Sequence, residues 1–207
     1  MAKLTVNTFL TLDGVMQAPG GPDEDRDGGF EHGGWSVPFS TDEQFGQAMT
    51  EWIAGAGGFL LGRKTYEIFA GHWPHITEAD PIADLLNRLP KYVASRTLDK
   101  VEWNNSTLLQ GDVAEAVAEL KRQPGQEIQV HGSGNLAQTL IRHDLIDQYR
   151  LWFMPVVLGT GKRLFGDGAV PLGMRLTDSK VTSSGAALHI YERAGAVEYG
   201  SFALEDQ

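Results

Sequence analysis

An α/β fold, with a mixed and mostly parallel sheet between flanking helices, is what this sequence predicts, and three observations carry that prediction. The chain opens on a strand, because Leu4-Thr5-Val6-Asn7-Thr8-Phe9-Leu10 alternates apolar and polar residues and is rich in β-branched ones. Helix-like and strand-like segments then alternate along the middle of the chain. Two alternating stretches, Arg175 to Ser183 and Ala187 to Arg193, close it without a helix between them, which is the pattern of an antiparallel pair at a sheet edge.

The elements follow in order. Thr11 to Ser40 is rich in Gly, Pro and Asp, as in Ala18-Pro19-Gly20-Gly21-Pro22-Asp23, and is too long for an ordinary connection. Loops of that length inside compact domains usually serve ligands. Thr41-Asp42-Glu43-Gln44 has the form of a capping box, and Phe45, Met49, Trp52 and Ile53 recur at helical spacing, which predicts a helix over 42–54. Gly57 to Gly62 is a short buried strand. Arg63 to Phe69 and Pro81 to Leu89 are helices, and Lys91 to Ser95 is the next strand. A helix opens at Asp112 and runs to Arg122, and the strand Glu127 to His131 leads directly into Gly132-Ser133-Gly134 and another helix. Asp147 to Leu158 is apolar beyond its first turn and is expected to be a central strand.

With 207 residues, 42% of them hydrophobic, the chain can bury a sizeable core, and it shows no repeat, linker or charge block, so one domain over residues 1–207 is expected. A formal net charge of -10 repels phosphate backbones and argues against nucleic acid as a partner. The absence of cysteine excludes disulfides, thiolate metal sites and a thiol nucleophile, and suits a reducing cytoplasm. Met1-Ala2-Lys3-Leu4-Thr5-Val6 lacks the apolar stretch of a secretory signal, and no run approaches the roughly 18 apolar residues of a membrane span. His72, His75 and His131 have no metal-ligand spacing, so no metal site is expected. A small molecule remains the natural partner.

Three times a strand ends in Gly or Ser where a helix or loop begins, beside residues that suit phosphate. Leu61-Gly62-Arg63-Lys64-Thr65 offers a flexible glycine, helix-start amides, two cations and a hydroxyl, although a plain helix start with solvated cations has the same composition. Ser95-Arg96-Thr97 is either a polar turn or a grip for a ribose 2′-phosphate, since a guanidinium fork is what separates an NADPH site from an NADH site. Val130-His131-Gly132-Ser133-Gly134-Asn135-Leu136-Ala137 matches G-x-G-x-x-A and can free amides for a pyrophosphate. A Rossmann fold places that motif after its first strand, whereas here the first strand leads into Leu12-Asp13-Gly14-Val15-Met16.

The ordered set T-L-D-G-V, L-L-G-R-K-T-Y-E, V-A-S-R-T, V-H-G-S-G-N-L and M-P-V-V-L-G-T-G-K-R-L-F resembles the dihydrofolate reductase-like superfamily, and within it the reductase domain of riboflavin biosynthesis, over about residues 3 to 193. The resemblance implies a three-layer fold that binds NADPH and passes a hydride to a small heterocyclic substrate, pterin- or aminopyrimidine-like, or to a carbonyl. It implies that Gly62, Arg63, Lys64 and Thr65 hold the pyrophosphate side and that Ser95, Arg96 and Thr97 hold the 2′-phosphate region. Gly132, Ser133, Gly134, Asn135 and Leu136 would hold the pyrophosphate and nicotinamide side, with Asp13 and Gly14 lining the substrate pocket.

Asp13 is the candidate to assist the proton, or else a turn residue, since Asp-Gly is a strong turn dipeptide. Glu43 and Glu51 compete for that role. Trp35 and Trp73 are candidates to flank a flat substrate, core packing being the alternative. The chain lacks the cysteines of the deaminase that partners the riboflavin reductase and the substrate elements expected before Gly62, which leaves the substrate open. Two other functions fit the same scaffold: a non-catalytic nucleotide-binding protein, and a true dihydrofolate reductase, which requires a buried acid on the helix over 42–54. The apolar segment Trp152 to Leu158 also suggests a homodimer.

Overall fold

The alternating and helical segments condense as their periodicity dictates. In the computed structural model, which describes residues 1–167 and 169–202, the opening strand is β1 (Leu4–Thr11), and the long loop leads to α1 (Glu43–Ala54) and β2 (Ala56–Gly62). Then come α2 (Arg63–His72), α3 (Pro81–Arg88), β3 (Lys91–Ala94), β4 (Ser106–Leu108), α4 (Val113–Arg122), β5 (Glu127–His131), α5 (Gly134–Arg142), β6 (Gln148–Met154), β7 (Gly173–Val181) and β8 (Ala187–Gly195). Short 3-10 turns occupy Asp27–Gly29, Val37–Phe39 and Trp73–His75.

The strands form one eight-stranded sheet in the order β4-β3-β2-β5-β1-β6-β8-β7. All neighbours from β4 to β6 are parallel, and β8 and β7 add an antiparallel pair at one edge, as the closing segments predicted. Alternation along β1 sends Leu4, Val6 and Leu10 to one face, where they pack with Val117 of α4 and with Leu136, Ala137 and Leu140 of α5. Phe9 points to the other face, beside a cluster of Phe45, Ala48 and Trp52 from α1 with Trp152, Met154 and Leu188. Also on that face, α2 and α3 cover β2 and β3 through Tyr66 and Leu86 against Phe59, Leu61 and Val93. Leu4, Val6 and Leu10 are at most 1% exposed, and each such side chain contributes about 1.5–3 kcal/mol by leaving water.

Three boundaries and one unpredicted strand have local explanations. Asp42, not Thr41, caps α1, because its carboxylate accepts the amides of Gln44 and Phe45. β3 stops at Ala94 because Ser95 turns the chain, its hydroxyl oxygen accepting the amides of Thr97 and Leu98. β6 stops at Met154 rather than Leu158 because Pro155 brings no amide to the ladder and Val156 bonds back to the Met154 carbonyl. The segment that suggested an interface is thus partly core: Trp152 and Met154 are fully buried, while Pro155 and Val157 are exposed. β4 was not predicted; three residues are too few to show a period, and it follows a turn with Asn105 in the left-handed region.

Lys91 is fully buried where β3 begins. Its ammonium donates to the carbonyls of Leu86, Leu89 and Asn87 at 2.6, 3.0 and 3.3 Å, closing the C-terminus of α3, and lies 4.3 Å from the centre of the Trp103 ring. Burial pulls this ammonium down to about 8. Among the described residues no helix is long and apolar enough to cross a membrane.

Candidate functional site

In an open α/β sheet a ligand crevice forms outside the carboxyl ends of two neighbouring strands whose following helices depart to opposite faces. β1 and β5 are such a pair. They run parallel with Asn7 opposite His131. The chain leaves β1 for α1, which packs with Phe9 and Trp152 on one face, and leaves β5 for α5, which packs with Leu4 and Val6 on the other. β5 ends at His131 while β1 continues to Thr11, so the crevice opens beside the last turns of β1.

The sequence motifs gather around this point. Ser95-Arg96-Thr97 follows β3, Gly62 to Thr65 closes β2, Gly132 to Leu136 follows β5, and Asp13-Gly14 follows β1; those four strands are consecutive in the sheet. Two of the strand ends are tied together. The Gly62 amide donates to Ser133 Oγ at 2.9 Å, Ser133 Oγ donates to the His131 carbonyl at 2.8 Å, and the Ser133 amide donates to Thr65 Oγ1 at 3.1 Å. These bonds hold Ser133 at φ 53°, ψ 46°, directly after Gly132 at φ 51°. A left-handed conformation costs a non-glycine residue about 1–2 kcal/mol, a strain typical of ligand-binding turns.

The helix starts divide into two kinds. Asp42, Asp80 and Asp112 cap α1, α3 and α4. α2 and α5, whose first turns follow Gly62 and Ser133, have no side-chain cap. An uncapped start leaves backbone donors and the positive end of the helix dipole facing outward, which is the chemistry that holds phosphate or carboxylate.

The cations around these starts are mostly engaged. Arg63 pairs with Glu67 one turn on, at 3.2 Å. The Lys64 ammonium, expected on a phosphate, instead touches Asp27 and lies 3.1 Å from Asp25, both in the long loop. Lys162 joins the same two carboxylates at 2.6 and 2.9 Å. Contacts with the two lysines hold the Asp27 carboxyl at about 2. The loop is pinned further by Gln17, whose amide donates to the carbonyls of Asp25 and Asp27 and accepts the Lys162 amide. Arg96 is exposed and makes no ion pair or hydrogen bond among the described residues, so its guanidinium is open to a ligand.

Asp13 lies just beyond β1, against residues 158–163, and its carboxylate is already occupied. It accepts from Thr11 Oγ1 at 2.6 Å, from the amides of Leu158 and Gly159 at 3.2 and 2.8 Å, and from Arg163 at 3.4 Å. The Thr11 hydroxyl first, and then these amides, hold it down at about 2. The group is therefore ionised at neutral pH and joins the turn after β1 to residues 158–163. Gly14, at φ 80°, makes that turn possible.

Several other candidates fall elsewhere. Trp35 is buried at 8% exposure, with its Nε1 donating to the Gln17 carbonyl, and packs among Phe45 and Trp52 rather than offering a face to a ligand. Trp73 lies at the far end of α2 against Phe69 and His72. Leu136 is buried in the core, so only its backbone is available near the crevice. Glu43 and Glu51 are exposed on α1, Glu51 lying 3.8 Å from Lys180. Asp25, Asp27 and Gln17 carried no sequence signal, because their contacts with Lys64 and Lys162, 39 to 145 residues apart, leave no local pattern. Lys162 and Arg163 were visible only within the motif M-P-V-V-L-G-T-G-K-R-L-F.

The layered sheet and its strand order place the chain among dihydrofolate reductase-like folds. Residues 2–189 match the model of the RibD C-terminal domain, and the chain belongs to that family. A reductase of the RibD type is the class that this membership supports. The chain is 27% identical over 196 residues to the uncharacterized protein YyaP of Bacillus subtilis, covering 93% of this chain and 96% of that one. A Shewanella sp. PV-4 protein provisionally assigned to riboflavin biosynthesis superposes with a TM-score of 0.65 at 21% identity, over 93% of this chain and 99% of that one. The dihydrofolate reductase of Enterococcus faecalis, solved with NADP(H) and RAB-propyl, gives a TM-score of 0.56 at 16% identity, over 93% and 96%.

Proposed function

We propose that the protein is an NADPH-dependent reductase of a small heterocycle, pterin- or aminopyrimidine-like, or of a carbonyl compound, as in 5-amino-6-(5-phosphoribosylamino)uracil reduction. One observation carries this: two uncapped helix starts and an open arginine stand on neighbouring strands beside the β1–β5 crevice. That donor set fits a dinucleotide, and the Enterococcus dihydrofolate reductase of the same fold is a complex with NADP(H).

When bound, NADPH supplies the hydride. The amides at the starts of α2 and α5, with the Thr65 hydroxyl beside them, hold the pyrophosphate, and Ser133 braces the two starts. Arg96, with Ser95 and Thr97, holds the 2′-phosphate through charge-assisted hydrogen bonds. Asp13 stays ionised and acts by positioning the 158–163 segment at the mouth of the crevice; proton delivery falls to water. Exposed Glu43 and Glu51 leave α1 without the buried acid that dihydrofolate reduction requires, which favours a different heterocycle. We further propose a cytoplasmic homodimer; the exposed Leu176 and Val181 on the outer strand β7 support an apolar contact there.

The test is turnover. Sustained NADPH oxidation with a member of a panel of pterins, aminopyrimidines and carbonyls is expected. NADPH binding without turnover across the panel would leave a nucleotide-binding protein instead.

A further inference from the structure

One face of the sheet beneath α1 is unexpectedly polar. Glu127, Gln129 and His131 alternate along β5, with Thr5 opposite Gln129 and Asn7 opposite His131 on β1. All of the hydrogen bonds among these side chains run toward Glu127. Arg150 forks onto its two oxygens at 2.7 Å each, fixing it as the acceptor at the root.

Two proton-ordered chains leave that root. In the first, Gln129 Nε2 donates to Glu127 Oε1 at 2.7 Å and to the Trp52 carbonyl at 2.6 Å, so the Gln129 amide oxygen is the atom facing His131 Nε2 at 3.0 Å. An acceptor there requires the proton on Nε2, which leaves Nδ1 with its lone pair. Flipping the amide would set an oxygen against two acceptors. In the second, Thr5 Oγ1 donates to Glu127 Oε1 at 3.2 Å and accepts from Asn7 Nδ2 at 3.1 Å, which leaves Asn7 Oδ1.

Both chains therefore end in lone pairs on one register pair of strands. Asn7 Oδ1 is buried without a partner, and His131 Nδ1 makes no hydrogen bond among the described residues. Burial first, and the Arg150 charge second, hold the imidazole at about 4, so it is neutral at physiological pH. A core histidine with only a packing role, between Phe59 and Phe69, has no need of such an ordered chain. Asn7 Oδ1 is sealed from solvent, on a face where Trp152 Nε1 is likewise a buried donor without a partner, so the lone pair that calls for a donor from outside the protein is His131 Nδ1 at the end of β5.

We propose that His131 is a specificity-determining residue that reads an N–H donor of the substrate at Nδ1, with Gln129 as the positioning residue that fixes the tautomer. The proposal rests on the reductase reading for its substrate, and it selects ligands with an amino or amidine-like edge over those that offer only acceptors.

The experiment uses the full chain with ¹⁵N-labelled histidine. Ring ¹⁵N spectra should show His131 protonated at Nε2 alone, and Gln129→Met should mix the tautomers. The probes are 2,4-diaminopyrimidine and 2,4-bis(dimethylamino)pyrimidine, which has the same ring without N–H groups. The diamine should shift the Nδ1 resonance and bind at least tenfold more tightly than its methylated analogue, and His131→Phe should abolish that preference while leaving the NADPH Kd unchanged. An Nδ1-protonated ring, equal binding of the two pyrimidines, or no binding of the diamine at millimolar concentration overturns the proposal. Should NADPH fail to bind while tautomer and amine preference hold, the reductase reading fails and this site stands.

Discussion

Ser133 and Gly62, 71 positions apart in sequence, meet where β5 and β2 end: the Gly62 amide donates to Ser133 Oγ at 2.9 Å, and the same hydroxyl donates to the His131 carbonyl. This bond sets the two uncapped helix starts side by side. Ser133→Ala leaves the Gly62 amide and the His131 carbonyl without their partner. A loss of about 1–2 kcal/mol in unfolding free energy is expected in urea denaturation, accompanied by weaker NADPH binding.

Arg96 is the open cation of the site. Arg96→Ala should weaken NADPH binding and leave NADH nearly unaffected, narrowing the ratio of the two affinities by roughly tenfold to a hundredfold, the worth of one or two charge-assisted contacts. Parallel calorimetric titrations read the ratio directly. An unchanged ratio would remove Arg96 from the 2′-phosphate.

Asp25 and Asp27 occupy the two lysines nearest the start of α2. If phosphate takes Lys64, these carboxylates compete with it. Asp25→Asn with Asp27→Asn should raise NADPH affinity about threefold to tenfold at low salt, with a smaller gain at high salt because the contacts are partly exposed. Trypsin cleavage at Arg26 should rise when wild-type protein binds NADPH, as the loop is released.

Much of this was legible in the sequence, and the reason differs by feature. Strand and helix periods located every element but β4. The glycine-ended strands were legible as strand-to-helix junctions because such a turn is local: Gly62-Arg63-Lys64-Thr65 and Gly132-Ser133-Gly134 each lie within a few residues. What they could not announce was adjacency, since the chain order of these motifs is not their order across the sheet. Asp13 was legible as the residue that turns the chain after β1, yet its four hydrogen-bond donors come mostly from residues 158–163, and those make an expected acid an anchor. Trp35 shows the opposite limit. Its place in a long polar loop suggested a ligand wall, and the fold closes it into the core.

Lys91 gives a stability test away from the site. Its folded-state value of about 8 lies below the 10.5 of a free lysine ammonium, so the unfolded chain holds more protons between those limits. Stability relative to Lys91→Met should therefore rise with pH from about 8 to 10.5, and be flat below that window. Lys91→Ala, which also abandons three carbonyls and opens a void, should cost about 3 kcal/mol in denaturant unfolding.

The central claim is that the β1–β5 crevice binds a phosphorylated nicotinamide dinucleotide, and thermal unfolding of the wild-type chain with increasing NADPH tests it most directly. Binding to the folded state alone predicts stabilisation that grows with the logarithm of concentration, about 2.7 kcal/mol at a hundred times Kd, and that is smaller with NADH at the same concentration. No rise in Tm at millimolar NADPH, or an equal rise with both dinucleotides, would contradict it.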